Sequence, residues 1–147
     1  MTLTLTFDGL YSRIVSILHH AGMNSVQAEA IGRVIAAGER DGCKSHGIYR
    51  IEGVLRTLKA GMVDGTALPV LMPDDGRGII RVDAKRGFSC PAFELGLPLL
   101  ADRAHDLGLA AMVVNDCTHF SALWPEVEAV TAHGLAVLVM CPSYASV

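Results

Sequence analysis

Residues 109–114 (Leu-Ala-Ala-Met-Val-Val) and 135–140 (Leu-Ala-Val-Leu-Val-Met) constrain this chain more than any other feature in it. Six residues without polar alternation suit a strand covered on both faces. Between the two runs, residues 121–133 are long enough for a helix, and Gly134 follows as its stop signal. A strand, helix, strand order within one sheet makes a right-handed parallel crossover the default connection, so α/β is the expected class. Upstream, residues 79–82 (Ile-Ile-Arg-Val) follow the turn formers of residues 73–78 and read as another strand. Pro91 suits the first turn of a helix that carries Leu95, Leu99 and Leu107, kinks at Pro98 and stops at Gly108.

The first half has helical periodicity instead. Asp8 is the expected N-cap of a helix bearing Leu10, Ile14, Ile17 and Leu18 that ends near Gly22. His19 and His20 fall in its last turn, where cations oppose the negative end of the dipole, and read as terminal residues rather than ligands. Asn24 to Gln27 reads as a capping box opening a second helix toward Gly42. Its small residues Ala28, Ala30, Gly32, Ala36, Ala37 and Gly38 suit close packing. Ile48, Ile51, Leu55 and Leu58 mark a third helix reaching about Ala60, with Gly61 as its stop. The expected organisation is a helical unit over residues 1–77 and an α/β portion over residues 78–147.

At about 100° per residue, His46, Arg50, Gly53 and Thr57 line the face of the third helix opposite its apolar stripe. That face is either solvated or, with a second segment closing over it, a site joining an imidazole to a guanidinium. Ser45 beside His46 invites a nucleophile and its base, but neighbouring side chains on a helix diverge by about 100°, which argues against a hydrolase. Ligands collect at the carboxyl ends of parallel strands, here residues 115–120 (Asn-Asp-Cys-Thr-His-Phe) entering a helix N-terminus. His119 there either meets an anion or is simply exposed.

Composition excludes several classes. A net charge of −3, from 12 basic and 15 acidic residues without a basic block, offers nothing to a phosphate backbone, so no nucleic-acid partner is expected. Residues 1–7 have no cationic stretch before an apolar run, and no segment reaches the roughly 18 apolar residues of a membrane span. A cytoplasmic protein of one-domain size is expected from 147 residues, 51% of them hydrophobic. Cys43, Cys90, Cys117 and Cys141 contain no CxxC pair and read as buried thiols. A metal site built from His46, His119 and a cysteine lacks ligand spacing, so none is expected. GxGxxG after a strand, GxSxG and the Walker A pattern are all missing.

Two separated stretches carry a resemblance: Asp41-Gly-Cys-Lys-Ser-His-Gly-Ile-Tyr-Arg50, then, after Gly61, Asn115-Asp-Cys-Thr-His-Phe-Ser-Ala-Leu-Trp-Pro-Glu-Val-Glu128. Together they resemble the malate/L-lactate dehydrogenase family, NAD(P)-dependent oxidoreductases with a non-Rossmann fold. The part from His119 onward is similar to the cyclic-imine branch, the Δ1-pyrroline-2-carboxylate and Δ1-piperideine-2-carboxylate reductases. The match runs from about residue 39 to residue 142. The resemblance implies a helical N-terminal unit followed by part of a non-Rossmann NAD(P)-binding sheet. It implies His46 as proton donor, Ser45 as its relay partner and Arg50 as holder of the substrate carboxylate. Thr118, His119, Phe120, Ser121 and Ala122 would contact the nucleotide, NADPH or else NADH. The implied partner is a small imino or 2-keto acid, with a homodimer in the complete enzyme. The alternatives are a malate/L-lactate-type 2-hydroxy acid dehydrogenase and a non-catalytic truncated remnant. Family chains are much longer, and their relay aspartate and further nucleotide contacts lie beyond the part represented here. An N-terminal portion without turnover of its own is therefore expected. Thr118 stands where the branch has a second histidine. Histidine is an acid near neutral pH and arginine a planar fork for a carboxylate, so the implied roles suit hydride reduction of a C=N bond.

Overall fold

The first helix, α1 (Phe7–His20), starts earlier than Asp8 suggests, because Thr6 is its N-cap, with Oγ1 accepting from Gly9 N at 3.1 Å. The computed structural model describes residues 4–73 and 76–142. Asp8 sits in the first turn, where its charge favours the positive end of the dipole. His19 and His20 close the helix, their Nδ1 atoms 3.0 Å from Met23 O and 2.7 Å from Ser16 O. In α2 (Ser25–Arg40), Asn24 Oδ1 accepts from Gln27 N at 2.9 Å, as the capping pattern requires. The reciprocal half of the box is missing, because Gly65 O already takes Asn24 N at 2.9 Å. The released Gln27 side chain is fully buried, with Nε2 donating to Ala67 O and Oε1 accepting from Phe88 N, both at 3.0 Å.

The third helix, α3 (Arg50–Lys59), begins two residues after Ile48, which is 45% exposed. Val54 takes the buried position, flanked by Ile51, Leu55 and Leu58. The preceding residues form tight turns, His46 N bonding Cys43 O and Arg50 N bonding Gly47 O, each at 2.9 Å. His46 therefore precedes the helix rather than sharing a face of it with Arg50. Ile14 and Leu18 of α1, Ile31 and Ile35 of α2, and Val54 of α3 form the first core, joined by Phe88, Cys90 and Phe120 from the second half of the chain.

Three strands, β1 (Val70–Leu71), β2 (Ile79–Asp83) and β3 (Ala111–Asn115), lie in that order, β1 antiparallel to β2 and β2 parallel to β3. Ile79 stands opposite Ala111 and Asp83 opposite Asn115. The helix between the parallel pair is α4 (Ser89–Leu107), which holds Pro91 in its first turn, runs through Pro98 and ends at left-handed Gly108. The crossover of an α/β unit is thus formed by β2, α4 and β3, one element earlier than the apolar runs suggest. β1 was not legible among turn formers, and of the turn expected over residues 73–78, residues 74 and 75 lie outside the described residues.

β3 is covered on one face only: Met112 and Val114 pack toward the second core, while Ala111, Val113 and Asn115 are exposed. Residues 135–140 join no ladder among the described residues. Leu135 and Val137 reach the second core, whereas Leu138 and Met140 are 81% and 80% exposed. Apolar composition demands cover for side chains, but a strand also demands partners for its backbone, and this segment satisfies only part of the first demand. Before it, α5 (Trp124–Thr131) carries Pro125 in its first turn, and Gly134 follows with φ 74°. Ile80, Val82, Ala84, Ala92, Leu100 and Val130 make the second core. No helix among the described residues is long and apolar enough to cross a membrane.

Candidate active site

The turn carrying Ser45 and His46 lies directly on the end of α2. Gly38 allows this: a Cβ built on it would stand 2.6 Å from His46 O. The sequence marks Gly38 as a close-packing residue, and its neighbour is the motif itself. Because Ser45 and His46 sit in a turn, the helical divergence expected of them does not apply, and Ser45 Oγ lies 3.0 Å from His46 Nδ1. Cys43 Sγ is 3.6 Å from the same nitrogen and 3.7 Å from Ser45 Oγ. The hydroxyl can donate to an unprotonated Nδ1 or accept from a protonated one, so it stays bonded to the ring whichever nitrogen carries the proton.

A second segment closes over the pair. The His46 ring meets Trp124 edge-on, with centroids 6.0 Å apart and planes at 79°. Arg50 Cζ lies 5.0 Å from the centre of the Phe120 ring. Arg50 forms no ion pair among the described residues, and its buried Nε finds no acceptor there. Phe120 is anchored: its ring meets Phe88 edge-on at 5.9 Å, its N bonds Ser89 Oγ at 3.2 Å, and its carbonyl accepts from Cys90 Sγ at 2.8 Å. Burial pushes the Cys90 thiol far above its ordinary range, so it remains a donor. Ser121 Oγ donates to buried Glu126 Oε2 at 2.6 Å and accepts from Leu123 N at 3.3 Å, shaping the step into α5. Asp41 is held below the usual carboxylate range, chiefly by hydrogen bonding from Arg40 and least by the Trp124 indole.

At the carboxyl ends of β2 and β3 is an open cleft of about 470 Å³, lined by Arg86, Val114, Cys117, Thr118, His119 and Cys141, among others. Thr118 is fixed by a parallel bridge to Phe88, its N bonding Gly87 O at 2.9 Å. His119 Nδ1 lies 3.2 Å from Ser89 Oγ.

A family model described as malate/L-lactate dehydrogenase matches residues 5–147. The chain belongs to the malate/L-lactate dehydrogenase family. Among its relatives, the Δ1-pyrroline-2-carboxylate reductase of Agrobacterium fabrum is 64% identical over 146 residues, 99% of this chain and 42% of that protein. The Δ1-pyrroline-2-carboxylate/Δ1-piperideine-2-carboxylate reductase of Pseudomonas aeruginosa is 48% identical over 141 residues, 96% of this chain and 42% of that protein. The crystal structure of Δ1-piperideine-2-carboxylate reductase from Pseudomonas syringae superposes with a TM-score of 0.83 at 38% identity, over 86% of this chain and 38% of that one. Malate dehydrogenase from Entamoeba histolytica, 22% identical, shares the fold with a TM-score of 0.79 over 91% of this chain and 37% of its own. The chain thus spans about two-fifths of the length of the curated relatives it matches.

In this family member, Ser45 and His46 are in contact, and Arg50 faces the same closing segment through Phe120. Thr118 and His119 line the cleft, whereas Phe120 turns into the first core, Ser121 is engaged by Glu126, and Ala122 is half-buried beside them. Trp124, unassigned from the sequence, is the ring against His46; its signal was its place in the quoted motif and its being the only tryptophan. Cys43 was grouped with buried thiols, but only Cys90 is buried; Cys43, Cys117 and Cys141 lie in partly exposed segments outside helices and strands. Among the described residues no group of three His, Cys, Asp or Glu is placed to hold a metal ion.

Proposed function

We propose that this chain carries the proton donor and carboxylate clamp of a reductase for a small cyclic imino acid, Δ1-pyrroline-2-carboxylate or Δ1-piperideine-2-carboxylate, using NADPH. The observation that carries this reading is Arg50: a guanidinium laid on an aromatic face which, among the described residues, has no acidic partner and no acceptor for its buried Nε–H. Such a fork is ready for a planar carboxylate. In an imino acid the C=N carbon bears the carboxylate directly. A substrate clamped by Arg50 therefore holds its imine within a few bonds of the guanidinium, on the side where His46 lies under Trp124.

His46 gives its Nε2 proton to the imine nitrogen from the imidazolium form, in which Nδ1–H donates to Ser45 Oγ, and is left as neutral imidazole. Phe120 and Trp124 exclude water from that side. NADPH, when bound, supplies the hydride to the C=N carbon. Thr118 and His119 would contact this nucleotide, in a cleft whose volume falls in the range of small-molecule sites. Ser121 and Ala122 would continue these contacts from the same segment, whereas the Phe120 ring lies in the first core and supports it from behind. The complete protein acts in the cytoplasm as a homodimer.

The test joins this chain in frame to the remainder of the Agrobacterium fabrum reductase and follows NADPH absorbance with both imino acids and with pyruvate. Turnover favouring a cyclic imine over pyruvate by roughly tenfold or more in kcat/KM is expected. Faster reduction of pyruvate would replace this reading with the 2-hydroxy acid dehydrogenase, and no turnover with any substrate would leave a non-catalytic remnant.

A further inference from the structure

Glu39 stands in the last turn of α2, immediately after Gly38, and its side chain reaches the turn that carries the motif. Oε2 accepts from Ile48 N at 3.1 Å. Ile48 lies two residues from His46 and two from Arg50, so this bond falls midway between the proposed proton donor and the proposed clamp. Two glycines let the backbones approach closely enough. Gly47 is buried against Glu39: a Cβ there would collide with Glu39 Oε2 and stand 3.1 Å from Glu39 N and Cα. Gly38 meets the His46 carbonyl from the helix side. Otherwise this turn is held by short-range backbone bonds, His46 N to Cys43 O and Arg50 N to Gly47 O, and by Cys43 N to Gly38 O, each 2.9 Å. The two bonds between residues three apart do not fix where the turn sits on α2, and the Cys43 bond ties down only the turn's first residue, leaving Glu39 to hold its far end.

The geometry points to Glu39 as a positioning residue: by accepting the Ile48 N–H it seats the 43–49 turn on α2, so that His46 faces Trp124 and Arg50 lies on Phe120. The functional consequence rests on the roles proposed for His46 and Arg50. The placement does not, so it is tested without turnover.

Trp124 is the only tryptophan of the chain and has the His46 ring 6.0 Å away, so its emission reports whether that ring is in place. In the purified chain, His46→Ala sets the emission of Trp124 without its neighbour. Glu39→Ala is expected to reach that level and to speed amide exchange at Ile48 on the order of tenfold, while the α1 and α2 amides keep their protection. Glu39→Gln retains an acceptor oxygen at the same reach and should stay near wild type in both readouts. The double variant Glu39→Ala/His46→Ala should add nothing to His46→Ala alone. Wild-type emission and Ile48 protection in Glu39→Ala would overturn the proposal, as would a Glu39→Gln variant disturbed as much as Glu39→Ala. If Glu39→Ala loses its helical circular dichroism, Glu39→Gln and Gly38→Ala decide. The latter keeps the carboxylate but drives the turn away, and should give the His46→Ala emission; wild-type emission from it would equally refute the seating. A joined enzyme inactive on imines would remove the proposed function and leave these readouts unchanged.

Discussion

Arg50 and His46 share one closing segment, yet their substitutions should separate kinetically. In the joined enzyme, Arg50→Lys is expected to raise KM for the imino acid strongly, because an ammonium point charge cannot reproduce a two-pronged carboxylate contact. His46→Ala should act mainly on kcat, lowering it by about 10²–10⁴-fold through loss of the general acid. An Arg50→Lys enzyme with unchanged KM for every imino and keto acid tried would end the clamp assignment. Gln27 invites a stability prediction instead. Gln27→Leu keeps the buried volume but strands the Phe88 N–H inside, while Ala67 C=O keeps only the longer bond from Asn24 Nδ2 at 3.4 Å. At about 1–3 kcal/mol for the stranded N–H, urea denaturation should show a loss of that order. Asp64 gives the pH dependence: Thr66 Oγ1 and N donate to its Oδ1 at 2.7 and 2.8 Å and hold its pKa below the ordinary value. A carboxylate whose folded pKa is depressed stabilises the fold above its unfolded pKa of about 3.9, and that contribution is lost as pH falls through the lower folded value. Thermal unfolding between pH 5 and 2 should therefore fall less steeply for Asp64→Ala than for wild type. Parallel curves would assign the acid limb to other groups. Such residue-level features were unequally legible: the arginine and histidine are named by the motif, but Gln27 looks like half of a local capping box and becomes a long-range strut only because Gly65 has occupied Asn24 N–H.

Among the elements, the helix stops read from glycine held, whereas of the two strands read from apolar content alone, the run at residues 109–114 gave β3 and the run at residues 135–140 gave none among the described residues. Gly108 and Gly134 stop their helices with left-handed backbone, and Pro91 and Pro125 open theirs. These signals are local, set by one residue's own φ or by a missing N–H. The runs 109–114 and 135–140 look alike in composition, yet one contributes a strand with a parallel partner and the other has none among the described residues. Pairing is non-local, and no local pattern encodes it. The same limit hid the turn before α3: Ile48 completes a helical stripe on paper, but Glu39 holds its N–H and the helix starts at Arg50. Thiol accessibility checks the loop geometry around these elements. Native alkylation at pH 8 should modify Cys43, the thiol outside the cores beside Ser45, while Cys90, buried with its sulfur bonded to Phe120 O, should react only after denaturation. Modification of Cys90 in the folded protein would mean that the Phe120 anchor opens.

For the whole molecule, the two cores belong to the two parts of the chain, and we propose the division at residues 77 and 78 as that between a helical unit and a partial cofactor-binding unit. Phe88 and Phe120 cross it to fill the first core, which is how the clamp and the cleft come to share one segment. The 147-residue chain on its own should nevertheless not turn over. His46 Nδ1 has only a hydroxyl and a thiol beside it among the described residues, with no carboxylate to stabilise the imidazolium during proton transfer. The cleft is open, so its polar lining of Arg86, Asn115, Asp116, Thr118 and His119 remains solvated and offsets little of the ordering cost of a dinucleotide. One face of the sheet exposes Ile79 and Val113, and Leu138 and Met140 project into solvent as well, apolar exposure that favours self-association. Purified chain should oxidise no NADPH with Δ1-pyrroline-2-carboxylate, Δ1-piperideine-2-carboxylate or pyruvate, and its elution volume should fall as concentration rises. Protein-dependent NADPH consumption by the homogeneous chain would show that Ser45 alone suffices to orient His46, and that the groups lining this cleft hold the nucleotide without help.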